Sequence, residues 1–526
     1  MAYDFHFLGR AKLYTDYDYI DADNVLKVIA DVMPKHLQNA ADETFLLNYE
    51  KGVQPLKQKK DIRPEIDITF VDNLANEIVE FVTSYEWGNP ISYIQRGDKD
   101  LKGNAPKVDN DAIYALNEML DAEFAFAKDQ ELARFITICG VGVQMVDIKR
   151  EDDGKSPFDI VTLDPRNAFV VYRNSTLQEP ILGVTFCVLE NGTTVATAFT
   201  KDTRFEIRNF MRIENGKERP VWEFGQRSGE PNALGKIPIV EFERQPDRTG
   251  ILERQLSALD GLNQLVSNVC NAFTQEVQTL YWANDIEFPQ DENGNTISPK
   301  SGQWILSNTG ADKNPKVQAL SVQTQYSGIL QNIRYQRDVI KEKCSVPIQT
   351  EPGGGSTGTA MSMSSGWQNA ETVAAKRELL TRRSKMMLVD LIVRACHASP
   401  YVRQDDPILR LSATDVKPSI TRNKQYDMAT KANTFATWIS HGIHPRHALQ
   451  QVEAFPDTNL VYEDSMPYMD KYLTNLFAKN QSGSTSGDVE DLEGRHQADT
   501  GDQLDNSPLL GGAPTRNASG NGIVTD

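Results

Sequence analysis

From Ser365 to His397 the chain runs without a proline and with no glycine beyond its first turn, the composition of one uninterrupted helix. A helix of roughly thirty residues far exceeds the usual globular length of about eleven to twelve. It dictates a domain with one long dimension. The preceding residues are equally restrictive. Ile329, Ile333, Val339, Ile340 and Val346 form a loose apolar stripe at helical spacing. Pro347 ends that segment, because proline lacks a donor and disfavours helix in the residue before it. Between the two helices lies IQTEPGGGSTGTAMS, where Pro352, the run Gly353–Gly355 and Gly358 cannot sustain a helix. Ser362, Ser364 or Ser365 can cap the long helix. The order predicts a rod with a flexible finger at one end. An ordinary helical hairpin in a large domain fits the same residues.

The chain has 526 residues, enough for several domains or one multi-part subunit. Its apolar content of 39% predicts a folded protein rather than a disordered one. A net charge of −18 is a poor basis for tight, sequence-specific DNA binding, which rests on phosphate neutralisation. It is compatible with a surface that DNA slides past. Cys139, Cys187, Cys270, Cys344 and Cys396 lie far apart, with no CxxC pair, as expected of free thiols in a reducing cytoplasm. The N-terminus lacks a positive-then-apolar signal pattern. The most apolar run, Met386 to Ala398, is short for a bilayer and broken by Asp390 and Arg394, so no membrane contact is expected.

Before the rod, Val25, Leu26, Ile29, Val32 and Met33 predict a helical face, and Gly52 closes the helix after it. Val71, Leu74, Ala75, Ile78, Val79 and Val82 mark an amphipathic helix stopped by Gly88 and Pro90, with a short strand at Ile91–Ile94. Residues 109–138 read as one helix, ended by Gly140 and Gly142. From Phe158 to Phe242 the sequence turns to Val, Thr and aromatics, with hairpin signals at Asn191-Gly192 and Asn215-Gly216, and predicts an antiparallel sheet. A long helix is expected from about Gly250 to Ala283, then a turn-rich, strand-like insert up to the helix at Tyr326. Two helices flanking a small β insert make a stalk with a compact tip. Ile408–Leu411 reads as a strand, and helices resume beyond Asn423. From Gln481 onward the residues are Gly, Ser, Asp and Asn with almost no aromatics, which predicts disorder. The fold class is therefore α+β.

Chemical motifs are sparse. Gly353–Gly358 lacks the lysine of a phosphate-binding loop and follows a helix rather than a strand. DENGNT at Asp291–Thr296 has Thr296 where a calcium loop needs glycine, so it reads as a turn. His441, His444 and His447 are closely spaced, but Pro445 breaks their register and no cysteine or acidic cluster joins them. Lys376, Arg377, Arg382, Arg383 and Lys385 cluster on the long helix. They read as a solvated or salt-bridged face, with Glu371 and Glu378 at helical spacing, or as weak contacts to a passing phosphate backbone. No nucleophile, base and orienter stand in a catalytic pattern, and no cofactor or metal is expected.

The ordered set of parts resembles the tailed-bacteriophage portal proteins of the SPP1-like type. Tyr85, Gly88, Pro90, Ile91 and Tyr93 resemble the turn after that family's early helix. Gly235 and Pro238, then Asp260 and Asn263, resemble its strand before the stem helix and the stem helix itself. VPIQTEPGGGSTGTAMSM resembles its tunnel loop. The likeness spans about residues 36–475. It implies a homo-oligomeric ring of twelve subunits at one capsid vertex of the virion. Double-stranded DNA would be packaged through it by terminase and later ejected. It implies a wing (1–246, with 399–422 returning to it), stem helices (247–283 and 326–347), a clip (284–325), a tunnel loop (348–364), a tunnel helix (365–398), a crown (423–480) and a disordered tail (481–526). Glu351, Gly353, Gly354, Gly355, Ser356, Thr357 and Gly358 would form the tunnel loop. Asp291, Glu292, Asn293, Gly294, Lys300, Trp304 and Lys313 of the clip would dock the terminase large subunit and then the head-completion adaptor. Lys376, Arg377, Arg382, Arg383 and Lys385 would face DNA. Major capsid and scaffolding proteins are the other implied partners, and ATP hydrolysis would belong to terminase. Two alternatives to such a channel are a nucleotide-dependent enzyme using the glycine loop and a minor capsid protein that forms no ring.

Overall fold

The computed structural model describes residues 9–56, 68–96, 110–152, 154–214, 217–277, 280–284, 293, 316–320, 326–348, 366–422 and 428–452, with short pieces up to 468. The chain divides into a first unit, Met1–Thr458, and a second, Asn459–Asp526. In the second, only a short helical stretch around 461–468 is described. The predicted disordered tail lies outside the described residues.

The first unit opens with strand β1 (Leu13–Thr15) and helix α1 (Val25–Glu50). Val25, Val28, Ile29, Val32 and Met33 are buried on one face of α1 at helical spacing. They cover the apolar side of a sheet through Phe169, Val171, Leu182 and Val184. The other half of α1 buries Leu46, Leu47 and Tyr49 in a different core, so this one helix joins two cores. Helix α2 (Leu74–Trp87), strand β2 (Ser92–Gln95), and helices α3 (Asn110–Ala122) and α4 (Ala125–Cys139) follow. The expected single helix over 109–138 is thus two. The break falls at Phe124, which sits in the left-handed region at φ 54°, a conformation no helix continues through.

Strands β3 (Val141–Ile148), β4 (Phe158–Leu163), β5 (Ala168–Arg173), β6 (Pro180–Val188), β7 (Thr194–Phe199), β8 (Thr203–Glu214), β9 (Lys217–Phe224), β10 (Glu230–Pro231) and β11 (Ile239–Glu243) form two sheets rather than one. The smaller has the order β11-β3-β4, and the larger β1-β5-β6-β7-β8-β10 with β9 on β8. The chain changes sheet at the turn Pro165–Asn167, where the Asp164 carboxylate accepts the Arg166 N–H. Pairing is antiparallel except for β1 on β5. Both hairpin signals fall between paired strands: Gly192 takes φ 78° in the β6–β7 turn, and Glu214 stands opposite Lys217.

The stalk helix is shorter than expected. A 3-10 turn at Glu253–Gln255 precedes α5 (Leu256–Val277), and Ala283 belongs to strand β12 (Leu280–Asn284), which pairs with β13 (Lys316–Leu320). Helix α6 (Tyr326–Lys343) ends before Pro347, because Ser345 turns left-handed at φ 61° and Val346 N–H bonds back to Lys341 O at 2.9 Å. The long helix, α7, runs Trp367–Ala398 and begins after a left-handed Gly366 rather than on a serine cap. Its second half buries Leu388, Leu391, Ile392 and Cys396 among α3, α4 and the small sheet. In place of the strand expected at Ile408–Leu411 there is a 3-10 turn, Pro407–Arg410, since Asp406 caps Ile408 N–H and Pro407 fixes the first turn. The nearby strand is β14 (Val416–Ser419), paired with β2. Helices α8 (Met428–Ser440) and α9 (Pro445–Val452) complete the first unit.

Candidate functional site

The predicted loop residues Glu351, Gly353, Gly354, Gly355, Ser356, Thr357 and Gly358 lie outside the described residues, but both ends of the loop are in place. A Cβ on Gly366 would lie 3.8 Å from the Pro347 Cα, so the chain returns where it left. On the leaving side Cys344 and Val346 are buried with α5 and α2. On the returning side Trp367 meets the rings of Phe81 at 5.7 Å and Tyr85 at 5.8 Å, and the Tyr85 hydroxyl donates to Glu371 at 2.6 Å. Ala370 and Ala374 are small enough to let α7 lie against these aromatics. The loop root is therefore held by aromatic packing on its returning side and by the α2–α5 core on its leaving side.

The basic residues of α7 do not share one environment. Lys376 and Arg383 are exposed, on the side that also carries exposed Leu379 and Met387. Arg383 reaches Glu243 at 3.1 Å, Arg377 pairs with Glu86 at 2.6 Å, and Arg382 pairs with Glu378. Lys385 is no surface residue. It is 1% exposed, with its Nζ 2.5 Å from Asp129 and 3.2 Å from Gln144, beneath the Phe242 ring. That position corrects the expectation that Lys385 faces DNA. The signal was available in its spacing: Lys385 stands three and seven residues before Leu388 and Ile392, on the buried face.

At the stalk, α5 and α6 share a core with α2. A feature invisible to periodicity lies along α5. Asn263, Ser267 and Asn271, spaced by four, hold the extended segment 68–72 by its backbone. The Asp72, Phe70 and Ile68 N–H groups donate to them at 2.9, 2.9 and 2.8 Å. Two residues of strand and four of helix advance the chain by nearly the same distance, which is why the ladder keeps step. Asp72 and Glu77 then bind Arg337 of α6. Asp260 and Asn263 both sit in this region, with Tyr49 donating to Asp260 at 2.8 Å. Of the predicted clip residues only Asn293 is described, at an exposed turn; Asp291, Glu292, Gly294, Lys300, Trp304 and Lys313 lie outside the described residues.

Where the sheets meet the stalk, backbone closeness is extreme. A Cβ on Gly9, Gly140 or Gly250 would lie 2.0, 2.3 and 1.9 Å from the Asp247, Arg248 and Ile138 carbonyl oxygens. Arg248 itself is left-handed at φ 56°. Buried ion pairs surround it: Arg248 with Glu241 at 2.8 Å and Arg10 with Glu253 at 3.3 Å. Burial raises the Glu43 carboxyl to about 8, and burial lowers the His36 imidazole to about 4. Sequence reasoning missed this junction, because its partners are far apart along the chain.

Among the described residues no group of three metal-ligating side chains occurs, and no helix is long and apolar enough to cross a membrane. His441 bonds Thr437 O through Nδ1, and the His444 and His447 rings stand 5.8 Å apart.

The chain matches the family model described as phage portal protein, SPP1 Gp6-like, over residues 10–459. It belongs to that family. This is a phage portal protein, a structural capsid component of the DNA-packaging apparatus, in a family of oligomeric rings that associate with capsid and terminase. No curated protein matches the chain significantly.

Proposed function

We propose that twelve copies of the chain form the ring, with double-stranded DNA passing along its axis. In this reading β1–β11 with α1–α4 and residues 399–422 are the wing, α5 and α6 the stem, the β12–β13 ladder the root of the clip, 348–364 the tunnel loop, α7 the tunnel helix, and α8 and α9 part of the crown. The observation that supports it best is the α5–β12–β13–α6 excursion beside the clamped root of the glycine loop. A two-strand ladder at the far end of two packed helices presents a tip for docking. The clamped root lets a glycine loop extend without loosening the helices that bear it.

Lys376 is the basic residue of α7 best placed to meet phosphate, since it is exposed while Arg377, Arg382 and Arg383 are held by carboxylates. The clip takes the terminase large subunit first and the head-completion adaptor afterwards. The net charge of −18 keeps DNA from adhering to the wall. Particle mass and negative-stain images of the purified chain test the assembly. A hollow ring of about a dozen subunits with a narrow stalk is expected; a compact dimer with a filled centre would refute the reading. Shortening Gly353–Gly358 should leave rings intact and impair packaging or retention of DNA, and normal packaging by such rings would remove the loop's role.

A further inference from the structure

Arg244 follows β11, and its N–H donates to Gly140 O at 3.0 Å. Its side chain turns inward, leaving the residue 5% exposed. The Nε and Nη2 atoms are buried with no hydrogen-bond partner among the described residues. A guanidinium stays charged in proteins and is costly to bury unpaired. Among the described residues the other two buried arginines, Arg10 and Arg248, also leave Nε unpartnered but have carboxylates, at 3.3 and 2.8 Å. Arg244 has the opposite surroundings. Burial, with the nearby Arg377 cation, disfavours its charge, which Glu86 and Asp247 favour. The Glu86 carboxylate is already taken by Arg377 at 2.6 Å. Arg377 thus holds that carboxylate, and Arg244 Nε and Nη2 hold none. The place is beside the root of the glycine loop: Arg244 is bonded to Gly140, and the adjacent Cys139 shares a core with Cys344 and Val346 at the end of α6.

We propose that Arg244 and Arg377 form an oxyanion site at the loop root, taking one carboxylate or one tetrahedral anion of the phosphate and sulfate type. Nε and Nη2 lie on one edge of the guanidinium, the edge that grips two oxygens at once. Such a ligand supplies the missing negative charge and ties β11 to the first half of α7. The proposal does not depend on the number of copies in the ring.

The test uses the full chain, in chloride buffer and in the same buffer with sulfate. A high-resolution map should show density within hydrogen-bond distance of Arg244 Nη2. Density continuous with an acidic side chain in both buffers assigns a protein carboxylate. Isolated density that appears only with sulfate, together with a melting temperature that rises with sulfate in wild type and not in Arg244→Met, assigns a free oxyanion. In the sulfate buffer Arg244→Met melts several degrees below wild type in either case, and Arg244→Lys falls between. An empty site in both buffers overturns the proposal. So does an Arg244→Met protein that melts at or above wild type in sulfate, since removing an unpaired buried charge stabilises.

Discussion

Replacing Lys385 by methionine separates a buried structural charge from one that serves DNA. The Lys385 and Asp129 side chains are 2% and 8% exposed, and their charged atoms are 2.5 Å apart. Gln144 bridges them, donating to Asp129 at 3.0 Å and accepting from Lys385 at 3.2 Å. Lys385→Met leaves the Asp129 carboxylate buried with an amide but no counter-ion. Removing one partner of a buried pair costs about 3–5 kcal/mol. Asp129→Asn should cost a similar amount, because it strands the ammonium. The double variant Lys385→Met/Asp129→Leu should lose far less than the sum of the single losses, since an apolar replacement of the whole pair is often close to neutral. Thermal unfolding of the assembled chain reads this, with Lys376→Met as the exposed control, expected within about 0.5 kcal/mol of wild type. The Lys385→Met loss should persist at high salt, because the pair is shielded from mobile ions. An unchanged melting temperature for Lys385→Met, coupled to weakened and salt-dependent DNA retention, would refute the buried assignment.

The other expectations rest on separate observations. Gly250→Ala should strongly destabilise the fold, because its Cβ would meet the Ile138 oxygen at 1.9 Å. Gly261→Ala, in α5 with nothing within 4 Å, should stabilise by about 0.5–1 kcal/mol; comparative melts decide both. Glu43, held protonated by burial, binds its proton more tightly folded than unfolded, so its contribution falls as pH rises from about 4.5 to about 8. Glu43→Gln should therefore gain on wild type across that window, and a constant stability difference between the two would contradict it. The His36 imidazole is held neutral, so acidification from 6.5 toward 4 should cost wild type stability, in pH-dependent melts, that His36→Asn does not lose. Asn271→Ala should speed hydrogen exchange at the Ile68 amide while leaving Asp72, held by Asn263, nearly as slow as before.

Helix existence, turn positions and the order of parts were determined by the sequence, because each is set by residues close together in the chain. The proline-free run gave the long helix nearly to its ends. Asn191-Gly192 marked its hairpin, and the missing lysine after Gly358 set the glycine loop apart from a phosphate-binding loop. Helix boundaries escaped where one residue adopted a left-handed backbone that its type does not announce, as at Phe124 and Ser345. Tertiary structure alone decided the rest. Lys376 and Lys385 carry the same charge on the same helix, yet one meets water and the other Asp129, from α4. The two sheets, the ladder that straps 68–72 to α5, and the glycine-lined junction around Arg248 join segments far apart in sequence. Burial and ion pairing depend on which distant surfaces meet, and local periodicity carries no record of that choice.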